Sequence, residues 1–223
     1  MPVHAFDLLG SPNIGVYALT TNSLTILPVE IPSRQAQRVK DGLRGDIVIS
    51  TVGETRLVGV LAAANSNGIL LPHFASDEEV TAIQQVWKGN TARVPSKRTA
   101  LGNLILANDR GALASANLMR EKGVLKILRD VLDVEIVAGE IAGRPYVGSF
   151  ATATNRGVLA HPLLKTREQQ VMRDILKVPV DVGTINGGSP LVSSGVLANE
   201  HGVLIGSPTT GPEIMIITNV LDN

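Results

Sequence analysis

A short sequence motif recurs along this chain of 223 residues at almost constant spacing, and this repeat restricts the possible folds more than any other feature. Its clearest copies begin at Gly15 and Gly148, each followed by an aromatic residue, an Ala, a Thr and an Asn at matching positions. The Asn recurs at steps of 43, 43, 47 and 44 residues, at Asn22, Asn65, Asn108, Asn155 and Asn199. The glycine recurs at steps of 44, 43, 46 and 45 residues, at Gly15, Gly59, Gly102 and Gly148, with Ser193 in the fifth place. A period of this length indicates a repeat architecture.

Each repeat contains the same order of predicted elements: three short apolar segments typical of strands, then an amphipathic helix. Capping boxes are predicted at Ser76 and Glu79, at Thr166 and Gln169, and at Thr210 and Glu213, while Ser33 is the predicted cap of the first helix. The Asn-containing segments are predicted to be tight turns, for which Asn needs no ligand. We expect a single domain of five strand–strand–strand–helix units, at approximately 1–44, 45–89, 90–132, 133–177 and 178–223.

The two ends of the repeat array carry information about its shape. An open stack of repeats needs terminal copies with a polar outer face. Here the first and last repeats are as apolar as the middle ones. The sequence therefore predicts an α/β fold in which five units form a closed five-fold pseudosymmetric α/β propeller, with helices outside and sheets toward the axis.

Composition narrows the classes of function. Apolar residues make up 44% of the chain and charged residues 18%, as in a folded protein. The 20 basic and 20 acidic residues balance, which argues against a general polyanion-binding protein. Because the chain has no cysteine, it has neither a disulfide nor a thiol nucleophile. The sequence shows no signal peptide and no apolar run of ~18 residues, so we expect a cytoplasmic protein without membrane contact.

Several sequence motifs, taken together with their order and spacing, resemble those of one family with the pentein fold, the translation initiation factor 6 family of ribosome anti-association factors. They are 101–103 (LGN), 68–72 (GILLP), 146–150 (YVGSF), 157–162 (GVLAHP) and the run from Val178 to Ser189. The resemblance covers the whole chain. Because the chain ends at Asn223, directly after the fifth predicted helix, it is similar to the archaeal members, which lack the phosphorylated tail of the eukaryotic ones.

The resemblance implies a protein that binds the large ribosomal subunit at its subunit interface, prevents joining of the small subunit, and acts in initiation or in large-subunit biogenesis. It implies as chief partner the ribosomal protein beside the sarcin–ricin loop, with minor contact to ribosomal RNA, and we expect a monomer without a cofactor. Basic residues gather at 34–44 and 93–98, where a solvated surface is the simpler interpretation.

Repeat symmetry places the residues that follow the repeated glycines on one face of the disc. Their identities have diverged, which suits either an asymmetric partner or drift at exposed positions. The predicted ribosome-binding residues are Val60, Asn103, Ser149, Phe150, Ser193 and Ser194, with Val16 and Tyr17 as weaker members. Phe150 is either an apolar anchor for the partner or a core residue like its counterpart Tyr17.

An enzymatic function is the alternative. Other families with the pentein fold modify guanidino groups with a cysteine nucleophile. Attack on the guanidino carbon needs a strong nucleophile near neutral pH, and the cysteine thiolate supplies it. This chain has no cysteine. His4, His73, His161 and His201 show no metal-ligand spacing, and the segment Gly187–Pro190 lacks a nucleophile-elbow pattern. We therefore expect no catalysis and no metal site.

Overall fold

A computed structural model describes residues 2–222. Each unit contributes three strands, and the middle strand follows a single turn of helix. The first strands are β1 (Val3–Ala5), β4 (Asp46–Ile49), β7 (Asn90–Val94), β10 (Ile136–Gly139) and β13 (Val180–Val182). The second strands are β2 (Leu19–Thr20), β5 (Ala63–Ala64), β8 (Ile105–Ala107), β11 (Ala151–Ala153) and β14 (Val196–Ala198). The third strands are β3 (Leu24–Leu27), β6 (Gly68–Pro72), β9 (Ala112–Ser115), β12 (Val158–Ala160) and β15 (Val203–Ile205).

The helices are of two kinds. The short ones that precede the second strands are α1 (Ile14–Tyr17), α3 (Val58–Leu61), α5 (Leu101–Leu104) and α8 (Val147–Phe150), with a 3₁₀ turn at Val192–Gly195 in the fifth unit. The long ones that end the units are α2 (Ser33–Leu43), α4 (Asp77–Val86), α7 (Val124–Leu132), α9 (Thr166–Leu176) and α10 (Gly211–Leu221). The third unit has an additional short helix, α6 (Ala116–Met119), which makes it the least regular of the five.

The sheets do not coincide with the sequence repeats. Residues 2–222 form five three-stranded sheets. Each sheet joins the second and third strands of one unit, which are antiparallel, to the first strand of the next unit, which runs parallel to the third. β1 follows the same rule, because it pairs in parallel with β15 of the fifth unit, Val3 opposite Val203. The backbone N–H of Val203 donates to the carbonyl of Pro2 over 3.0 Å. The first and fifth units are therefore neighbours.

Each long helix covers the sheet of the preceding unit, so every core is shared between units. α4 packs on β4, α9 on β9 and β10, and α10 on β12. The cluster around α4 joins Ile83 and Trp87 to Leu24 and Ile26 of the first unit. Burying each such side chain stabilises the fold by ~1.5–3 kcal/mol. Because each cluster holds residues of two or three units, no unit has a complete core of its own.

The structure corrects several predicted element boundaries. The middle apolar runs were expected to be strands throughout, but each begins with the short helical turn, so the repeated glycines lie in these turns and not in strands. The first apolar run, Val3 to Leu9, is a strand only as far as Ala5 and continues into a tight hairpin in which Leu8 pairs with Ser11.

Helix starts were predicted with mixed success. The capping box of Ser76 and Glu79 is confirmed. Pro212 lies in the first turn of α10, where its missing N–H costs little. Ser33 does not cap α2, because it is already helical and Pro32 precedes it at the N-cap. At α9 the capping carboxylate belongs to Glu168 and not to Gln169. Glu168 Oε2 accepts the backbone N–H of Lys165 over 2.9 Å, because Lys165, one residue before the predicted cap, is the N-cap of α9.

Candidate functional site

Residues of all five units meet where the short helices come together. Each short helix contacts that of the next unit, and α1 also contacts the 3₁₀ turn of the fifth unit. They enclose a depression of about 340 Å³ at the protein surface. Its lining comprises Gly15, Val16, Gly59, Val60, Asn103, Tyr146, Ser149, Phe150, Leu191, Ser193 and Ser194. The structure thus brings together all of the predicted site residues except Tyr17, which lies beside the core cluster of the first unit.

Glycine allows the short helices to approach this closely. A Cβ at Gly59 would overlap the carbonyl oxygen of Gly15, and one at Gly102 would overlap that of Gly59. The same relation holds between Gly148 and Gly102, and between Gly15 and Ser193. A side chain at any of these glycines would therefore separate two units. The repeated glycines are therefore sites of close backbone approach between neighbouring units.

The floor of the depression is uncharged and only partly hydrogen-bonded. Val16 and Val60 present aliphatic side chains, and Ser194 donates its hydroxyl to the carbonyl of Leu191 over 2.7 Å. The half-buried amide of Asn103 makes no hydrogen bond to another residue between 2 and 222, so it offers both a donor and an acceptor to a partner. Ser193 donates to the carbonyl of Ser149 over 3.3 Å and so joins the fifth unit to the fourth.

Phe150 is mainly a core residue. Its side chain is 9% exposed and belongs to the core cluster under α9. Its ring lies 4.9 Å from that of His161 and 6.5 Å from that of Tyr146, centroid to centroid. Tyr146, at 47% exposure, presents the aromatic surface instead.

Sequence reasoning missed three apolar residues around the depression. Leu57, Tyr146 and Leu191 are 40%, 47% and 44% exposed, and each is the residue before a short helix or turn. Their counterparts are Asn13 and Ala100. All five lie two positions before the repeated glycine or its serine counterpart, so the same period that led to Val60 and Asn103 could have led to them. We call the surface formed by these five residues and by Val16, Val60, Asn103, Ser149 and Ser194 the short-helix face.

At the far end of the second strands, polar side chains form a hydrogen-bonded cluster around Asp109. Asp109 Oδ2 accepts from the Asn22 amide over 3.1 Å, from the Asn155 amide over 2.7 Å and from the Ser66 hydroxyl over 2.7 Å. The backbone N–H of Glu200 donates to Asn22 over 3.0 Å. The carboxylate of Asp109 is thus satisfied by donors within the protein, which favours a structural role.

The five turn asparagines are therefore of two kinds. Asn65, Asn108 and Asn199 are buried, and each donates to the last carbonyl of the next unit's long helix, as Asn108 does to Leu176 over 2.9 Å. In the first and fourth units the equivalent turn position is occupied by Thr21 and Thr154, whose hydroxyls accept the backbone N–H groups of Leu24 and Gly157. Asn22 and Asn155 lie one residue later and correspond to Ser66 and Asp109. The sequence prediction that all five are equivalent was wrong for these two, and the uneven spacing, most visibly the step of 47 residues, was the signal.

Neither a candidate metal-binding group nor a helix able to span a membrane occurs between residues 2 and 222. Histidine, aspartate and glutamate side chains form no group of three that could hold a metal ion. Within the same range, every helix is too short or too polar to cross a bilayer.

His161 accepts the backbone N–H of Leu163 through Nδ1 over 3.0 Å. Burial, and secondarily the charge of Arg144, lowers the pKa of His161, so this imidazole is neutral near pH 7.

Comparison with known proteins identifies the family. A family model described as the eIF-6 family matches residues 3–220. The chain belongs to the eIF-6 family. It is 41% identical over 218 residues to Translation initiation factor 6 of Methanocaldococcus jannaschii, covering 95% of this chain and 94% of the relative. Proteins of the same name from Pyrobaculum arsenaticum and Pyrococcus abyssi are each 37% identical, and the matches cover 99% of this chain and 98% and 99% of those relatives.

Membership of the eIF-6 family agrees with the family resemblance of the sequence. The matched range includes every residue of the short-helix face and every unit of the fold. The similarity therefore extends over the whole repeat array.

Proposed function

We propose that this eIF-6 family protein is a translation initiation factor that binds the large ribosomal subunit at its subunit interface and prevents the small subunit from joining. The observation that carries the proposal is the short-helix face, which is uncharged in its floor, concave, and contributed by all five units. Exposed Leu57, Tyr146 and Leu191 around an unpaired Asn103 amide form the combination of apolar and polar groups common at protein interfaces. The chief partner is accordingly a ribosomal protein.

We further propose that the fold is one closed propeller domain of five units. Three features support closure: β1 completes the sheet of the fifth unit, α1 contacts the 3₁₀ turn of that unit, and Asn199 donates to the carbonyls of Thr21 and Leu43 over 3.0 and 2.8 Å. In a closed disc every unit is held by two neighbours, so the disc can block another subunit as a rigid body.

The proposed activity is binding and not catalysis. To prevent subunit joining, the protein must bind the large subunit and occupy space on it, and neither property requires a nucleophile or a metal. The protein acts as a monomer in the cytoplasm, where ribosomal subunits join. The same binding would suit a role in large-subunit assembly, since a bound disc keeps an unfinished subunit out of translation.

Sedimentation of the protein with purified archaeal ribosomal subunits tests the proposal. The unsubstituted chain should migrate with large subunits and shift joined ribosomes toward free subunits as its concentration rises. Asn103→Arg and Val60→Glu should weaken this binding at least tenfold, because each buries an unpaired charge in the interface. Lys126→Glu, on the outer surface of α7, is the matched control and should bind normally.

The outcomes separate the family role from the proposed surface. If Asn103→Arg and Val60→Glu bind normally while Lys126→Glu does not, the short-helix face is the wrong surface. If the unsubstituted chain stays at the top of the gradient, the proposed function fails.

A further inference from the structure

The outer edge of each sheet is the free side of a first strand, and two of the five edges are capped by side chains. On β1, Arg38 of α2 donates to the carbonyl of Ala5 over 3.2 Å. On β13, Gln169 and Arg173 of α9 donate to the carbonyl of Val180 over 2.8 and 3.2 Å. These side chains occupy backbone groups that a free edge offers to another chain.

The outer edge of β10 has no such cap. The carbonyl of Glu135 accepts a hydrogen bond from β9, and alternate residues follow it, so the backbone groups of Ala138 point outward. Ala138 corresponds to Ala5 in register, and Val171 lies as far from the N-cap of α9 as Arg38 does from that of α2. No residue between 2 and 222 donates to the carbonyl of Ala138 or accepts from its N–H. A valine thus stands where the first unit has its capping arginine.

A groove of about 510 Å³ opens beside this edge, between the end of β10 and the start of α9. Its apolar lining comes from Leu113, Ala116, Ala138, Gly139 and Val171. A Cβ at Gly139 would overlap the side chain of Leu113, so this glycine keeps the groove deep. On α10 the residue that corresponds to Val171 is the larger Ile216, which approaches Gly183, the counterpart of Gly139. The groove is therefore a feature of the fourth unit and not of the repeat.

Two cations stand at the end of the groove nearest the start of α9. Lys165 and Arg167 are exposed, and neither forms an ion pair with another residue between 2 and 222. Of the two carboxylates in the lining, Glu168 accepts the backbone N–H groups of residues 142–143 over 2.9 Å. Only Glu140 remains to offset the cations, so the groove has an excess of positive charge.

A buried hydroxyl adjoins the floor of the groove. Ser115 is 1% exposed, and its Oγ has no hydrogen-bond partner between residues 2 and 222. It lies two residues after Leu113 in β9 and opposite Gly139, so its side chain is on the face of the sheet that α9 covers. Most buried hydroxyls in proteins have a partner. The floor therefore holds a donor and acceptor that the described part of the chain does not use.

We propose that the groove beside β10 binds an extended segment of a partner protein, in which apolar residues are flanked by acidic ones. The segment adds a strand to β10, and its backbone pairs with the N–H and the carbonyl of Ala138. Its apolar side chains enter the groove, and its carboxylates meet Lys165 and Arg167. The groove shares no residue with the short-helix face, so this site is independent of the proposed function.

Fluorescence anisotropy with a labelled peptide of sequence Glu-Asp-Val-Leu-Val-Asp-Glu tests the chemistry of the segment. We expect saturable binding below about 1 mM. The same peptide with lysine at each acidic position should bind about tenfold more weakly. The double variant Lys165→Gln, Arg167→Gln should remove this preference. The control double variant Arg34→Gln, Lys40→Gln removes equal charge from exposed positions on α2 and should keep it.

Two further variants test the edge itself. Val171→Arg introduces the residue that caps β1, and it should weaken binding of the acidic peptide about tenfold although it adds a positive charge. Gln170→Arg adds the same charge at the preceding, exposed position of α9 and should bind as the unsubstituted chain does. Ala138→Pro removes the outward N–H without breaking a bond to β9, and it should weaken binding as Val171→Arg does.

Amide hydrogen exchange followed by NMR shows where the peptide binds. The N–H groups of Ala138 and Glu140 point away from β9 and should exchange rapidly in the free protein. Exchange at both should slow about tenfold in the saturated complex, because a paired strand protects them. The N–H groups of Val137 and Gly139, which face β9, should change little.

Absence of binding at about 1 mM peptide, equal binding of the basic peptide, or unchanged exchange at Ala138 in the saturated complex would overturn the proposal. Unweakened binding to both Val171→Arg and Ala138→Pro would do the same. A concentration-dependent dimer that Val171→Arg abolishes would assign the edge to a second copy of this chain and reject a partner segment. All of these results leave large-subunit binding by the short-helix face untouched, so the two proposals fail separately.

Discussion

One carboxylate in each of three units joins the start of a long helix to the hairpin beside it. Glu79 accepts the backbone N–H groups of Ser76, Gly53 and Glu54 over 2.8–2.9 Å. Glu168 and Glu213 hold the hairpins of their own units in the same way. In the first unit Gln35 accepts a single, longer bond from Leu9, over 3.3 Å. The hydrogen bonds of the three glutamates reach their full strength only when the carboxylates are ionised, because hydrogen bonds to an ionised acceptor are about twice as strong as neutral ones.

Glu213 should make the stability of the fold depend on pH. Burial raises its pKa, but hydrogen bonds from Thr210, Thr184 and Gly188 outweigh burial and lower the pKa of Glu213 to about 2. A carboxylate whose pKa is depressed in the folded state stabilises the protein above its unfolded pKa near 4.5, and this contribution is lost as pH falls toward 2. We expect Glu213→Gln to lower the free energy of unfolding by ~3 kcal/mol at pH 7 and by much less near pH 3.

Urea unfolding at both pH values measures this difference. Glu78→Gln, in the exposed first turn of α4, is the control and should change stability little at either pH. A loss for Glu213→Gln that is equal at pH 7 and pH 3 would show that the side chain acts by shape and not by charge.

Asn108 and Asn155 should differ in their contribution to stability, although both were predicted from one repeat. Asn108 is 4% exposed, donates to the carbonyls of Thr154 and Leu176, and accepts from the N–H groups of Arg110 and Gly111. The side chain of Asn155 exchanges hydrogen bonds with Asp109, in a more open setting. We expect Asn108→Ala to cost ~2–3 kcal/mol and Asn155→Ala ~1 kcal/mol, measured by chemical denaturation. Equal losses of stability in the two variants would mean that the hydrogen bond from Asn108 to the end of α9 contributes nothing to the free energy of unfolding.

At the scale of elements, sequence reasoning found the repeat and the long helices but not the short ones. A helix of four residues shows no period, so an apolar run such as Gly15–Thr20 is indistinguishable from a strand. The position of the long helices could be predicted, because ten or so residues define an apolar stripe. Which sheet each helix covers could not be predicted, since this depends on strands exchanged between units.

In the candidate site, too, the residues fixed by the repeat period could be predicted, whereas those fixed by tertiary packing could not. Val60, Asn103 and Ser149 could be placed on one surface from the period alone. The exposure of Leu57, Tyr146 and Leu191, and the burial of Phe150, depend on how the short helices pack and have no local signal. The double use of Glu79, which caps α4 and also holds a hairpin 25 residues away, is likewise visible only in three dimensions.

The N-terminal strand should stabilise the whole protein although it has only three residues. β1 completes the sheet of the fifth unit by pairing with β15, and Val3 packs against the core cluster of that unit, which contains Ile217 and Leu221. Deleting residues 1–5 removes about three backbone hydrogen bonds and exposes this core, at a cost of ~3 kcal/mol, which lowers Tm by ~6–12 °C. His4→Ala keeps the strand and should leave Tm within ~1 °C, as measured by differential scanning calorimetry. An unchanged Tm after the deletion would argue that the pairing of β1 with β15 has no energetic role.

At the scale of the molecule, the proposed closure makes the position of the chain ends arbitrary. The described chain begins just before β1 and ends just after α10, at a boundary equivalent to that between α4 and β7, where Lys88 and Gly89 are exposed. Joining the ends through a short Gly/Ser linker and opening the chain between Lys88 and Gly89 preserves all five sheets. In a closed propeller the boundary that is opened is equivalent to the boundary that is joined, so the two changes should nearly offset each other in stability.

We therefore expect the circular permutant to fold with a Tm within ~5 °C of the original chain and to sediment with large subunits as the original does. Opening the chain instead between Gly59 and Val60, within α3, is the control, because it breaks a short helix whose glycine touches the first unit. In an open stack the first permutant would expose two unsatisfied unit surfaces and lose cooperative unfolding. A permutant at Lys88 that unfolds as easily as the one at Gly59 would contradict the closed propeller, while leaving membership of the eIF-6 family untouched.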